Sequence, residues 1–144
     1  MKSESTTARF KKALRVSLYF VALIWLLKCT EWFTLLDLRT LGIYPRAIAH
    51  LPSIFVAPLI HGSLSHITTN TPALIVLGTS LLFGYPKAAR YVIPLIWVIS
   101  GLGVWLFARS SYHFGASGIT FGMMFFVFTS GALRWDPRAI ALSC

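Results

Sequence analysis

The chain has 144 residues, of which 56% are hydrophobic and only 12% charged. Few charges and long apolar runs exclude a soluble domain with an internal core and indicate an integral membrane protein. The net charge of +9 would suit nucleic acid in a soluble protein, but the basic residues mostly flank apolar segments, as the positive-inside rule requires, so nucleic acid is set aside as a partner.

Residues 1–13 are polar and basic (Lys2, Arg9, Lys11, Lys12) and read as a short cytoplasmic tail. A first span is expected at about 14–36, with Val16 to Leu27 as its apolar centre and Lys28 and Glu31 near enough to one end to snorkel. The run from Asp37 to Gly62 contains Gly42, Pro45, Pro52 and Pro58, which break a spanning helix, yet it stays rich in Leu, Ile, Phe and Val. Short helical pieces lying in the interfacial region are expected there. Further spans follow at about 63–85, 91–107 and 115–134, with a turn at Pro86, Lys87 and Arg90 and glycines Gly101 and Gly103 as packing points. Residues 135–138 form a turn, and 139–144 begin another apolar run. The fold class is therefore all-α, a polytopic helix bundle of four spans plus the start of a fifth.

With the N-terminus inside, nine basic residues are cytoplasmic (Lys2, Arg9, Lys11, Lys12, Arg15, Lys87, Arg90, Arg134, Arg138) and four are outside (Lys28, Arg39, Arg46, Arg109). That bias favours a cytoplasmic N-terminus. Span parity then puts the starts of the second and fourth spans on the same, outer, side. Cys29 and Cys144 give neither a metal spacing nor a disulfide framework, and no metal or organic cofactor is implied.

Two polar clusters lie at those span starts. In His61-Gly62-Ser63-Leu64-Ser65-His66-Ile67-Thr68-Thr69-Asn70, His66 and Asn70 are four apart and share one helix face. In Gly115-Ala116-Ser117-Gly118-Ile119-Thr120-Phe121-Gly122, one serine sits at a helix N-terminus, where free N–H groups favour developing negative charge. Gly118 and Gly122 clear one face for close helix approach. Polar groups inside a span are costly and default to function. Serine, imidazole and carboxamide suit acyl transfer, which needs a nucleophile and donors for the oxyanion. The same trio would also serve as glue between two helices, and both readings stand at this point.

The pattern HxSxxHxxxN in His61, Ser63, His66 and Asn70, together with GxSGxxxG in Gly115, Ser117, Gly118 and Gly122, resembles the rhomboid intramembrane serine proteases. The 41–46 stretch Leu-Gly-Ile-Tyr-Pro-Arg and the apolar first connection also look like bacterial members, so 14–144 is identified as a partial rhomboid membrane domain. The resemblance implies that Ser117 is the nucleophile and that His66, Asn70 and the Ser117 amide form the oxyanion hole. It implies that His61 shapes the site, and that Phe121 stands where many members pack an aromatic on the catalytic histidine. It implies a bacterial inner-membrane protein acting on transmembrane substrates near the outer face. In this family the general base is a histidine in a sixth span. The histidines here are His50, His61, His66 and His113, and none occupies that span. The expectation is thus a C-terminally truncated fragment, inactive as written, whose Gly118/Gly122 face is left partly unpacked by the missing spans. His113, four residues before Ser117, is the one local substitute base. The alternatives are a non-catalytic rhomboid-like protein that binds transmembrane helices, and an unrelated small membrane subunit.

Overall fold

The computed structural model describes residues 5–133. The expected turn at 135–138 and the apolar run at 139–144 lie outside the described residues. Among them there are five α-helices and no strand: α1 (Thr6–Thr34), α2 (Ser53–Val56), α3 (Leu64–Gly84), α4 (Pro86–Phe107) and α5 (Ser117–Leu133). Three of these, α1, α3 and α4, are each long and apolar enough to cross a membrane. Large apolar side chains such as Tyr19, Leu26, Phe33 and Phe107 face outward, as lipid allows.

The helix α1 begins at Thr6 rather than at about Leu14, so residues 6–13 are helical and continuous with the first span. Its start is set by Ser5, whose Oγ accepts the Ala8 N–H at 3.2 Å. At 29 residues α1 is about 43 Å long and overruns a bilayer core. Near its far end Lys28 and Glu31 do not snorkel separately. They pair at 2.6 Å, with side chains only 14% and 12% exposed.

The connection after α1 consists of short helical pieces, as expected: 3-10 turns at Leu38–Leu41, Ile48–His50 and Ala57–Leu59 around α2. It is anchored on the second half of α4 and the link that follows. Trp97 Nε1 donates to the Ile54 carbonyl and Trp105 Nε1 to the Ala47 carbonyl, each at 3.0 Å. Arg46, held at φ 61°, reaches from the connection to the Ala108 carbonyl (3.1 Å) and Ser110 Oγ (3.1 Å). Gly101 leaves room for the Ile54 side chain, which any Cβ there would strike.

A single residue, Tyr85, separates α3 from α4. Pro86 takes the first position of α4, where its missing N–H costs nothing, so Lys87 and Arg90 belong to the start of the helix and not to a loop. In the bundle α1 packs on α3, α3 on α5, and α5 on α4. Ile67, Leu74, Leu81, Ile119, Met123 and Val127 are buried between them. Two reversals of direction bring the N-terminal ends of α3 and α5 to the same end of the bundle, as span parity requires.

Candidate active site

Ser117 opens α5, and its position follows from three contacts made by the residues just before it. The Gly115 N–H donates to the Ala57 carbonyl at 2.8 Å. The Ala116 N–H donates to His61 Nε2 at 3.4 Å. Upstream, Ile43 and His113 exchange backbone hydrogen bonds of 2.8 and 2.9 Å, a lone antiparallel bridge between the first connection and the loop leading to the serine. Gly115 adopts φ +110°, a conformation that side-chain-bearing residues rarely adopt. Ser117 itself is half-buried, and its Oγ makes no hydrogen bond among the described residues.

His66 sits on the first turn of α3, whose N-cap Ser63 accepts the His66 N–H at 3.1 Å. Its ring lies against the Gly115 backbone: a Cβ built on Gly115 would stand 2.5 Å from His66 Cε1 and 2.8 Å from Nε2. The glycine is thus required twice, by its torsion and by the imidazole over it. Asn70, one turn further along α3, is buried and donates from Nδ2 to the His66 carbonyl at 2.9 Å. An amide carries two N–H donors, so one remains beyond this bond.

His61 is 2% exposed and its ring centroid lies 5.0 Å from that of His66. Burial, with the neighbouring His66 adding to it, pushes the His61 pKa down to about 4, the Leu59 carbonyl working weakly the other way. The ring is therefore neutral near pH 7. Because Nε2 accepts from Ala116, the proton resides on Nδ1, which is buried without a hydrogen bond of good geometry among the described residues.

The remaining expected residues fall in different places. Gly118 and Gly122 face α4: a Cβ at Gly118 would stand 3.2 Å from Ser100 Cβ, and one at Gly122 would collide with Ile96. The expectation of an unpacked glycine face is therefore corrected, because the helix that needs the close approach is α4. Phe121 is 65% exposed and points away from the bundle. His113 lines the same cavity as Ser117, a space of about 130 Å³ that also touches Ser100 and Gly101. Its Nε2 donates to the Arg109 carbonyl at 2.9 Å, and no hydrogen bond joins it to Ser117. Ser100 was not singled out by sequence. A lone serine in an apolar helix carries no signal until Gly118 is placed beside it.

A family model described as "Rhomboid domain" matches residues 48–143. The chain belongs to the rhomboid family. An uncharacterised protein of Mycobacterium tuberculosis is 32% identical over 128 residues, covering 83% of this chain and 53% of the relative. An uncharacterised protein of Mycobacterium bovis aligns with the same figures. One from Mycobacterium leprae is 30% identical over 128 residues, covering 83% and 51%. The chain thus spans about half the length of the curated relatives it matches. No solved structure matches it. Membership of the rhomboid family removes the reading of an unrelated membrane subunit, and with three helices fit to span it makes the chain an integral membrane protein.

Proposed function

We propose that this rhomboid chain carries the nucleophile and oxyanion hole of an intramembrane serine endopeptidase acting on transmembrane protein substrates. The observation that carries the reading is the His66 ring resting on Gly115, two residues before Ser117. That contact brings an imidazole on α3 to the free N-terminal amides of α5. In the proposed reaction Ser117 Oγ attacks a peptide carbonyl. The oxyanion is met by His66, by the second Asn70 N–H and by the Ser117 N–H, supported by the positive end of α5. His61 holds the Ala116 amide, and so the turn, in place.

The serine proton needs an acceptor during attack. His66 is used for the oxyanion, His61 is engaged with Ala116, and His113 makes no hydrogen bond to Ser117. The base is therefore assigned to a histidine in a further segment of the full-length protein, and residues 1–144 alone are expected not to hydrolyse peptides. The domain is taken to start with the first span, at about residue 14, and so to include the greater part of α1. The N-terminus is placed in the cytoplasm and the site near the outer face of a bacterial inner membrane, on the nine-to-four distribution of basic residues.

A serine-directed fluorophosphonate tests the assignment. The 1–144 chain should stay unlabelled, and a version extended through a histidine-bearing span should label at Ser117. Labelling of 1–144 that His113→Ala abolishes would instead make His113 the base. A second reading, a non-catalytic binder of transmembrane helices, is favoured by the unbonded Ser117 Oγ. It would be adopted if the extended protein also remained unlabelled.

A further inference from the structure

Two neighbouring cavities run from the end of the bundle that carries the N-terminus of α1 to its middle, where Ile119 of α5 closes the inner one. One, of about 150 Å³, lies between α1, α3, α4 and α5 against Phe20, Gly78, Ile93, Trp97 and Met123, and its wall is almost wholly apolar. The other, of about 250 Å³, lies nearer the helix ends against Arg9, Lys12, Ala13 and Pro86. Val16 and Leu82 line both, so the two are adjacent, the outer one basic at the membrane face and the inner one apolar, with these two side chains between them.

The basic end is built. The Arg9 guanidinium is steadied by the Phe83 carbonyl (3.4 Å) and lies 5.8 Å from the centre of the Phe83 ring. Lys12 makes no ion pair or hydrogen bond among the described residues. Pro86 opens α4, the Lys87 and Ala88 N–H groups that follow it have no helical acceptor, and the Lys87 and Arg90 side chains add charge at that end. The acidic residues among those described, Glu31 and Asp37, lie at the other end of α1 and are paired with Lys28 and Arg39. No counter-charge therefore comes from the described part of the chain. Inside, α1 and α4 meet edge to face at Phe20 and Trp97, with centroids 5.8 Å apart, and Val16 beside this contact is exposed. An apolar cavity of this size stays dry, and its wall loses dispersion contacts unless an apolar group enters.

We propose that this pair of cavities binds one anionic phospholipid. Its phosphate sits between Arg9, Lys12 and the first turn of α4, and an acyl chain runs past Val16 and Leu82 into the apolar cavity. A zwitterionic lipid would set its ammonium group against the same cations, so selectivity for net negative charge follows. This inference does not rest on the reading of Ser117.

The test uses the 1–144 chain in phosphatidylcholine nanodiscs with a trace of phosphatidylglycerol bearing a photoreactive acyl chain. Cross-links should map to peptides containing Val16, Leu82, Ile93 or Met123, and unlabelled phosphatidylglycerol, not phosphatidylcholine, should compete. Lys12→Gln should weaken competition roughly fivefold, and Arg9→Gln with Lys12→Gln about twenty-five-fold, on the usual worth of one basic residue at a lipid surface. Val16→Trp, at an exposed position, should abolish the inner cross-links, and Leu82→Trp gives the same arm from α3 if Val16→Trp fails to fold. Equal labelling by photoreactive phosphatidylcholine overturns the proposal. So does inner labelling that survives both the charge and the tryptophan substitutions.

Discussion

Gly115→Ala gives the sharpest test of how the site is held. The substitution adds one methyl group at φ +110°, with His66 Cε1 at 2.5 Å from the new carbon. Backbone strain of this kind costs about 1–3 kcal/mol. Overpacking against the ring adds about 1–3 kcal/mol, partly overlapping because either the turn or the imidazole can yield. The sum is a loss of about 2–5 kcal/mol, and the His66 ring must leave its position. Gly103 is the internal control: it lies within α4, and a Cβ there meets nothing within 4 Å. Gly103→Ala should be neutral or raise stability by up to about 1 kcal/mol through helix propensity. Thermal or denaturant unfolding of both variants in the same detergent measures the difference. If Gly115→Ala unfolds with or after the parent protein while Gly103→Ala behaves as stated, then His66 does not rest on Gly115 and the proposed oxyanion geometry falls with it.

Three other outcomes follow from the same structure. Because the His61 pKa is lowered, the folded state resists a proton that the unfolded state takes up. Its stability contribution is complete above about pH 6.5 and falls as pH drops toward about 4, by up to about 3 kcal/mol; this slope should vanish in His61→Gln, and an unchanged profile would refute it. In the full-length protein, Asn70→Ala and His66→Ala should each lower kcat by roughly ten- to a thousandfold with little change in substrate binding; near-normal turnover in both would return the pair to helix glue. For orientation, cysteines at Ser63 and Ser111 should react with an impermeant thiol reagent in intact cells and one at Ser5 should not; the opposite pattern reverses the topology.

The part of the candidate site that rests on helical spacing is legible in the sequence. His66 and Asn70 share a face because they are four apart, and counting spans brings that face to the level of Ser117. What escaped is carried by pairings between loops. The Ile43–His113 bridge, the Ala57–Gly115 bond and the His61–Ala116 bond join residues about fifty to seventy positions apart in segments without periodicity. The glycines announce a close helix approach but not its partner, which the structure identifies as Ile96 and Ser100 of α4. That the helix of α1 begins ahead of the apolar run is not legible, because basic residues before the apolar centre read as a tail. Ser5, the cap that settles the matter, has no glutamate three residues on to complete a recognisable box.

The one-residue joint at Tyr85 makes α3 and α4 the two arms of a caliper, with His66 near the tip of one and, at the tip of the other, the link 108–116 that leads to Ser117. Twenty-one residues lead from the His66 end down to the joint, and twenty-two lead back up toward Ser117. Lengthening one arm alone by a single residue would turn its tip by about 100° and displace it by about 1.5 Å, with no slack at the joint to absorb either. Natural variation in length should therefore avoid both arms, or change them together by whole turns. It should gather instead in the stretch between α1 and the Leu38–Leu41 turn, where no tip is carried.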